Sequence, residues 1–383
     1  MEPLNPTSLR PAYARFLAVE GRVLLTGHSH QAWPDAARDG MLRAFDDAAA
    51  CVDEKWARAA EAADAVRRAV AAHHGGRPED VALGSNTHEL VTRFLSALDW
   101  RRRRHLVTTG GEFHSMRRQL GRLAEEGIEV TVVEVAPVAT LAERLAAAVR
   151  DDTAALLAST VLYETSTIVE GLEVACEAAH RRGAQVLLDA YHHTGVVPWR
   201  PLDPHAFVVG GGYKYLQWGE GCGFMRVPPD CRLRPIVTGW FSDFASLQSK
   251  TSGPLRYGNT QGDRFAGATY DPTSHYRARA VIDEFARLDM SVPRLRATSL
   301  RQTGRLLAGL ADYDILTPHD EERRGGFVTV RVAGAAQVVR ALRERGVFVD
   351  ARGDRLRFGP APYLRDEDID AGVAAFRELC PPQ

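Results

Sequence analysis

The chain has 383 residues, 45% hydrophobic and 25% charged, with a formal net charge of −1. That length exceeds one small core and predicts two domains of an ordinary globular protein, and disorder is not indicated. A balance so close to zero gives no electrostatic pull toward nucleic acid or an anionic membrane, and the run Arg101 to Arg104 reads as a solvated helix end. Five cysteines, odd in number and without a CxxC, argue against a disulfide framework and a cysteine zinc site. The first ten residues are polar and no stretch is long enough to span a bilayer, so a cytoplasmic location without membrane or nucleic-acid partners is expected.

In chain order, residues 35–74 are alanine-rich with helical apolar spacing, started by Trp33-Pro-Asp35, and predict one or two long helices. A short strand at 81–83 leads to Gly84-Ser-Asn-Thr-His-Glu-Leu90, where Asn86 and Glu89 have the spacing of a capping box. Strands are then predicted at 106–109, 130–135, 154–161, 186–189 and 206–210, with helices between the earlier ones, notably at 141–149 and 174–180. Helices alternating with apolar runs predict an α/β fold whose mostly parallel central sheet is covered on both faces. The last third changes character. Helices at 276–288, 300–310 and 336–345 and strands at 326–332, 347–349 and 356–358 predict a smaller α+β domain. The expected division is an N-terminal segment at 1–34 packing near the active site and the small domain, a large domain at 35–265, and a connecting helix with the small domain at 266–383.

Two side chains carry the chemistry. Asp189 closes the apolar run 184–188, and Lys214 follows 25 residues later inside Gly210-Gly-Gly-Tyr-Lys-Tyr-Leu216. A lysine amine that condenses with an aldehyde and a carboxylate that keeps a pyridine nitrogen protonated are what pyridoxal 5'-phosphate requires. The helix start Ser85-Asn86-Thr87 suits a phosphate dianion, and Phe113, after the next strand, offers a planar ring to stack on a pyridine. His192 stands three residues past Asp189, and the Tyr213 phenol directly before Lys214 suits phosphate binding or proton transfer. Arg357, in the alternating segment 354–360, is a natural bidentate partner for an α-carboxylate. The histidine pairs lack zinc-enzyme spacing, so no metal is expected, and Gly219-Glu-Gly-Cys-Gly223 is not a dinucleotide fingerprint.

These residues resemble fold-type I pyridoxal phosphate enzymes of the class V aminotransferase group, and kynureninase most closely. The resemblance rests on Tyr213-Lys-Tyr-Leu216, Asp189-Ala-Tyr-His192, Thr238-Gly-Trp-Phe241, and Arg345-Gly-Val-Phe-Val-Asp350 running to Leu356-Arg-Phe-Gly359. It implies Lys214 as the Schiff-base lysine, Asp189 on the ring nitrogen with His192 beside it, and Phe113 on the ring face. It further implies Asn86, Thr87, Tyr213 and Trp240 on the phosphate and Arg357 on the substrate carboxylate. A homodimer is implied too, the partner chain completing each site with a Gly-Thr segment that Gly267-Ala-Thr269 represents. The sequence departs from the family at Gly27-His28-Ser-His-Gln31, near the substrate, at Thr160-Val-Leu-Tyr-Glu-Thr-Ser166, and at Gln217-Trp218-Gly219, where the family has a glycine pair.

The activity this implies is hydrolytic Cβ–Cγ cleavage of kynurenine or a related γ-keto amino acid, with His28 and Arg357 at the substrate. A class V aminotransferase and a cysteine desulfurase or β-lyase share the cofactor residues. The desulfurase needs a nucleophilic thiol, and residues 347–357 contain none. A non-catalytic protein on the same scaffold is a further alternative, opposed by retention of Lys214, Asp189 and Arg357.

Overall fold

The computed structural model describes residues 1–200, 202–246 and 253–382. After α1 (Pro6–Leu9), capped by the Asn5 side chain, and β1 (Val23–Leu24), the alanine-rich stretch divides into α2 (Ala36–Cys51) and α3 (Lys55–His74). The break falls at Val52, whose φ of 52° is strained for a β-branched residue and cannot continue a right-handed helix.

The large sheet is built from β2 (Val81–Gly84), β3 (His105–Thr109), β4 (Glu129–Val133), β5 (Thr153–Ser159), β6 (Gln185–Asp189), β7 (Phe207–Gly211) and β8 (Gly223–Arg226). Their spatial order is β2-β8-β7-β6-β5-β3-β4. Strands β3 to β7 run parallel, while β8 lies antiparallel between β7 and β2. Helices α4 (Thr87–Ser96), α5 (His114–Glu125), α6 (Leu141–Ala148) and α7 (Leu172–Arg181) connect the earlier strands. Strand side chains alternate between faces, so Leu157 and Leu187 join Leu90, Phe94 and Phe207 in one core, while Leu156, Val186 and Leu188 join Leu145 and Leu172 in another. Burial on both faces is why β5 and β6 read as unbroken apolar runs.

Beyond the sheet come α8 (Gln261–Arg264), α9 (Thr273–Arg287), which packs on α2 and α3, and α10 (Val292–Gly309). The chain ends with β9 (Val328–Arg331), α11 (Ala335–Glu344), β10 (Val347–Phe348), β11 (Asp350–Arg352), β12 (Arg355–Phe358) and α12 (Asp366–Leu379). Strands β11, β12 and β9 form a small antiparallel sheet, and β1 pairs in parallel with β10. One hydrophobic cluster therefore joins Leu4, Leu9, Tyr13 and Leu25 to Leu306, Val330, Phe358 and Phe376. Among the described residues, no helix is long and apolar enough to cross a membrane, and no group of three or more His, Cys, Asp or Glu is placed to hold a metal ion.

Candidate active site

The carboxyl ends of β5, β6 and β7 meet on one side of the sheet. Ser159 ends β5 and Asp189 ends β6, and the two are register partners on adjacent parallel strands. After β7 the chain bends sharply: Trp218 N–H donates to the Gly212 carbonyl at 2.8 Å and Gln217 N–H to the Lys214 carbonyl at 3.0 Å. The glycines there answer to close packing. A Cβ on Gly210 would lie 2.5 Å from the Phe224 ring, and one on Gly211 would lie 2.3 Å from the Tyr191 hydroxyl.

Lys214, 6% exposed, turns its amine into a cavity of about 200 Å³ lined by Asn86, Thr87, Phe113, Ser159, Asp189, Tyr191, His192 and Tyr213 among others. That is smaller than the roughly 300–1,000 Å³ of pockets that hold drug-sized ligands, and suits one substituted ring rather than a dinucleotide. Lys214 Nζ lies 2.7 Å from His192 Nε2 and 4.4 Å from the centre of the Tyr191 ring. Phe113 and Tyr213 rings each lie 5.7 Å from the same nitrogen. Burial lowers the amine to about 7, with Asp189 opposing and Arg357 adding to the fall. Burial also raises the Asp189 carboxyl, against a hydrogen bond from the Tyr191 amide at 2.8 Å and the field of Lys214. His192 is pushed well below its ordinary value by burial and then by Lys214, so it faces the amine as a neutral acceptor.

At the start of α4 the Asn86 side chain accepts from the Glu89 amide at 2.9 Å, as the capping spacing predicts. The reciprocal half of the box is absent, because the Glu89 carboxylate turns to the Ser85 amide and hydroxyl at 2.9 and 2.6 Å. Arg357, 2% exposed, is gripped by Asp350, with Nε to Oδ1 at 2.8 Å and Nη2 to Oδ2 at 2.6 Å, while Nη1 donates to the Tyr163 carbonyl at 2.6 Å. His28 is fully buried behind it, donating from Nε2 to Asp350 at 2.9 Å and stacking on Phe327 at 4.6 Å. Neither Arg357 nor His28 is among the residues lining the 200 Å³ cavity. Burial, then the Arg357 charge against the pull of Asp350, brings His28 down to about 4, so it is neutral at pH 7. Trp240 and Thr269 stand apart as well. They bond to each other at 3.2 Å and line a second cavity of about 970 Å³ with Trp56, Phe241, Phe244 and Tyr270.

Residues 295–376 match the family model described as kynureninase C-terminal domain. The chain is 27% identical to kynureninase of Pseudomonas fluorescens, over 97% of this chain and 92% of that one. The chain is thus similar to kynureninases along nearly its whole length. It is also 26% identical to kynureninase of Bacillus cereus strain ATCC 14579, over 99% and 95% of the two chains. Its match to kynureninase of Bacillus cereus strain ATCC 10987 is 29% identical over 61% of this chain, but spans just 56% of that protein. Among solved structures, a lysine mutant of the cystine C–S lyase C-DES, with glycine covalently linked to its cofactor, superposes with a TM-score of 0.83 at 18% identity, covering 96% and 98% of the chains. An apo cysteine desulfurase from Thermococcus onnurineus NA1 gives 0.81 at 18% identity over 99% of each. The chain thus shares the fold-type I architecture of these structures: a mostly parallel sheet with helices and a smaller C-terminal part.

Sequence reasoning brought Asn86, Thr87, Phe113, Asp189, His192, Tyr213 and Lys214 to one cavity, and all seven line it. It missed three contributors to the site. Tyr191 was passed over for His192 beside it, although Gly211 without a side chain signals a ring against the backbone. Asp350 was quoted without a role, although an acid two strands' turn from Arg357 is the obvious holder of its fork. Ser159 carried no signal beyond closing an apolar run.

Proposed function

We propose that the chain binds pyridoxal phosphate in the Lys214 cavity and hydrolyses the Cβ–Cγ bond of kynurenine or a related γ-keto amino acid, giving alanine and an aromatic acid. The observation that carries this reading is a buried amine, 2.7 Å from His192, sharing a small cavity with Asp189 and a helix start. The donor set fits the group: an uncharged fraction of Lys214 amine near neutrality, a carboxylate awaiting a cation, and the α4 amides for a phosphate. When bound, the cofactor supplies an aldehyde for the amine and a cationic ring that accepts negative charge from the amino acid.

The residues then divide the work. Lys214 would serve as the nucleophile toward the aldehyde, and its pKa near the working pH suits it to move the α-proton. Asp189 would hold the cofactor at its ring nitrogen, and Phe113 and Tyr191 exclude water from around the amine. Burial keeps the Tyr213 phenol protonated, so it is able to deliver a proton to the leaving β-carbon. Arg357, aimed by Asp350 with His28 behind it, keeps one unused N–H on each of Nη1 and Nη2, which an α-carboxylate would take. The same reading expects a homodimer in which Thr269 reaches the phosphate from a second copy, and Trp240, bonded to Thr269, would come with it rather than from the same chain. Their absence from the Lys214 cavity of their own chain and the exposure of Trp240, Phe244 and Ile236 support it.

Purified protein given pyridoxal phosphate and reduced with borohydride should carry the adduct on Lys214, and should release alanine with anthranilate or 3-hydroxyanthranilate from the corresponding kynurenine. Amino-group transfer to a keto acid, or release of sulfur from cysteine, would replace hydrolysis by one of the sister activities and leave the cofactor site standing. An adduct on any other residue would overturn the site as well. The sulfur reading has little chemical support, because burial drives the Cys176 and Cys222 thiols up to about 12 and Cys231 to about 11.

A further inference from the structure

Glu112 follows β3 in the turn Gly110-Gly-Glu112 and is fully buried. Its Oε1 accepts from the Thr109 hydroxyl at 2.6 Å and from the Ser159 amide at 3.0 Å, and its Oε2 lies 2.6 Å from the Ser159 hydroxyl. Ser159 in turn lines the Lys214 cavity beside Asp189, its register partner. A dry carboxyl is costly unless an opposite charge answers it. Here the partners are two hydroxyls and an amide, with a second carboxyl nearby and no cation bonded to it among the described residues. Simple packing would be served by a neutral side chain.

We propose that Glu112 is a positioning residue of the cofactor site: through Ser159 it sets whether the hydroxyl on the cavity wall offers a proton or a lone pair beside Asp189. An ionised Glu112 accepts only, so the Ser159 hydroxyl points its proton at Oε2 and its lone pairs at the cavity. A protonated Glu112 keeps Oε1 as acceptor for Thr109 and the Ser159 amide, donates from Oε2, and releases the Ser159 proton toward the cavity. All heavy atoms keep their places. The groups facing Glu112 are Thr109 from β3, Ser159 from β5 and Asp189 from β6, and of these Asp189 alone titrates. Burial, reinforced by Asp189 and opposed by the Ser159 and Thr109 hydrogen bonds, pushes the carboxyl up to about 7, which sets the exchange near neutrality. A cation on the Asp189 side weakens the repulsion between the two carboxyls, so loading the site favours ionised Glu112.

The inference rests on the reading of the Lys214 cavity as a pyridoxal phosphate site, and its test separates the two. Glu112→Gln fixes the donating state at every pH, since its oxygen takes the place of Oε1 and its amide nitrogen donates to Ser159. In the full-length protein without cofactor, a folded pKa raised above the unfolded value means stability present at acid pH and lost as pH rises. The unfolding equilibrium constant of the wild type should therefore climb of the order of a hundredfold relative to Glu112→Gln between pH 5 and 9. With pyridoxal phosphate bound, Glu112→Gln should move the pH midpoint of the absorbance band by about half a unit, a threefold change in proton affinity. The same substitution in a Ser159→Ala background should move it no further. A band that titrates identically in wild type and Glu112→Gln, or a shift that persists undiminished without Ser159, overturns the proposal. If the wild type takes up no cofactor at all, the parent reading falls and this one with it. Should Glu112→Gln not fold, Ser159→Ala alone must shift the midpoint, and its failure to do so is equally fatal.

Discussion

Asp350→Ala is expected to be among the most damaging single changes outside the cavity wall. Arg357 is 2% exposed in its side chain and Asp350 19%, and the carboxylate takes both Nε and Nη2 of the arginine as well as Nε2 of His28. Removing one member of a buried pair costs about 3–5 kcal/mol, because the survivor stays charged and dry. Water already reaches part of Asp350, which sets the expectation at the low end, about 3 kcal/mol. Urea denaturation at pH 7 should show that loss as a lower midpoint with unchanged slope. Adding Arg357→Met should recover stability, since it withdraws the orphaned charge. Burial opposes ionisation of Asp350, but His28 and Arg357 outweigh it and hold the carboxyl well below the usual range. Its contribution is therefore intact above the unfolded value of 3.8 and fades as pH falls further, so wild type and variant should converge in acid. Under the proposed activity, the amino acid's KM should rise more than tenfold as Arg357 loses its aim. A variant as stable as wild type, or a double variant weaker than Asp350→Ala alone, would refute the account.

Two further measurements bear on the Lys214 loop. Because burial brings its amine to about 7, the rate of cofactor attachment should rise through pH 7 and level off above it. A rate still climbing at the pH where surface lysines titrate, roughly 10.4, would show a solvated amine. Gln217, fully buried at φ 59°, accepts from the Tyr13 hydroxyl at 2.6 Å and so ties that loop to the N-terminal segment. Gln217→Gly relieves about 1 kcal/mol of backbone strain but strands a buried hydroxyl, which costs about 1–3 kcal/mol. A net loss of stability with faster proteolysis of residues 1–34 is expected, and a more stable variant would show that the bond is idle.

The large sheet was legible because strands covered on both faces carry their burial in composition, as β5 and β6 do. The direction of β8 was not, since a four-residue buried strand looks the same parallel or antiparallel. The helix α12 went unread despite Ile369, Val373 and Phe376 at helical spacing behind an acidic first turn. For the site, Lys214, Asp189 and His192 were readable because their chemistry demands a fixed local setting. Glu112 was not, because its burial is decided by Ser159, 47 residues away, and a glutamate in a glycine turn otherwise looks like surface. His28 was expected at the substrate; it bonds Asp350 and is not among the residues lining the Lys214 cavity. That partner was hidden because the contact spans 322 residues of sequence.

The pairing of Val23 with Val347 has a consequence for how the molecule comes to exist. A ribosome releases the opening segment long before the strand that will pair with it, so Leu4 and Leu9 lack most of their apolar cluster until residues beyond 290 are made, although Tyr13 can meet Gln217 earlier. The large sheet is free to assemble in the meantime, and closure of the last third over those side chains is expected to come last.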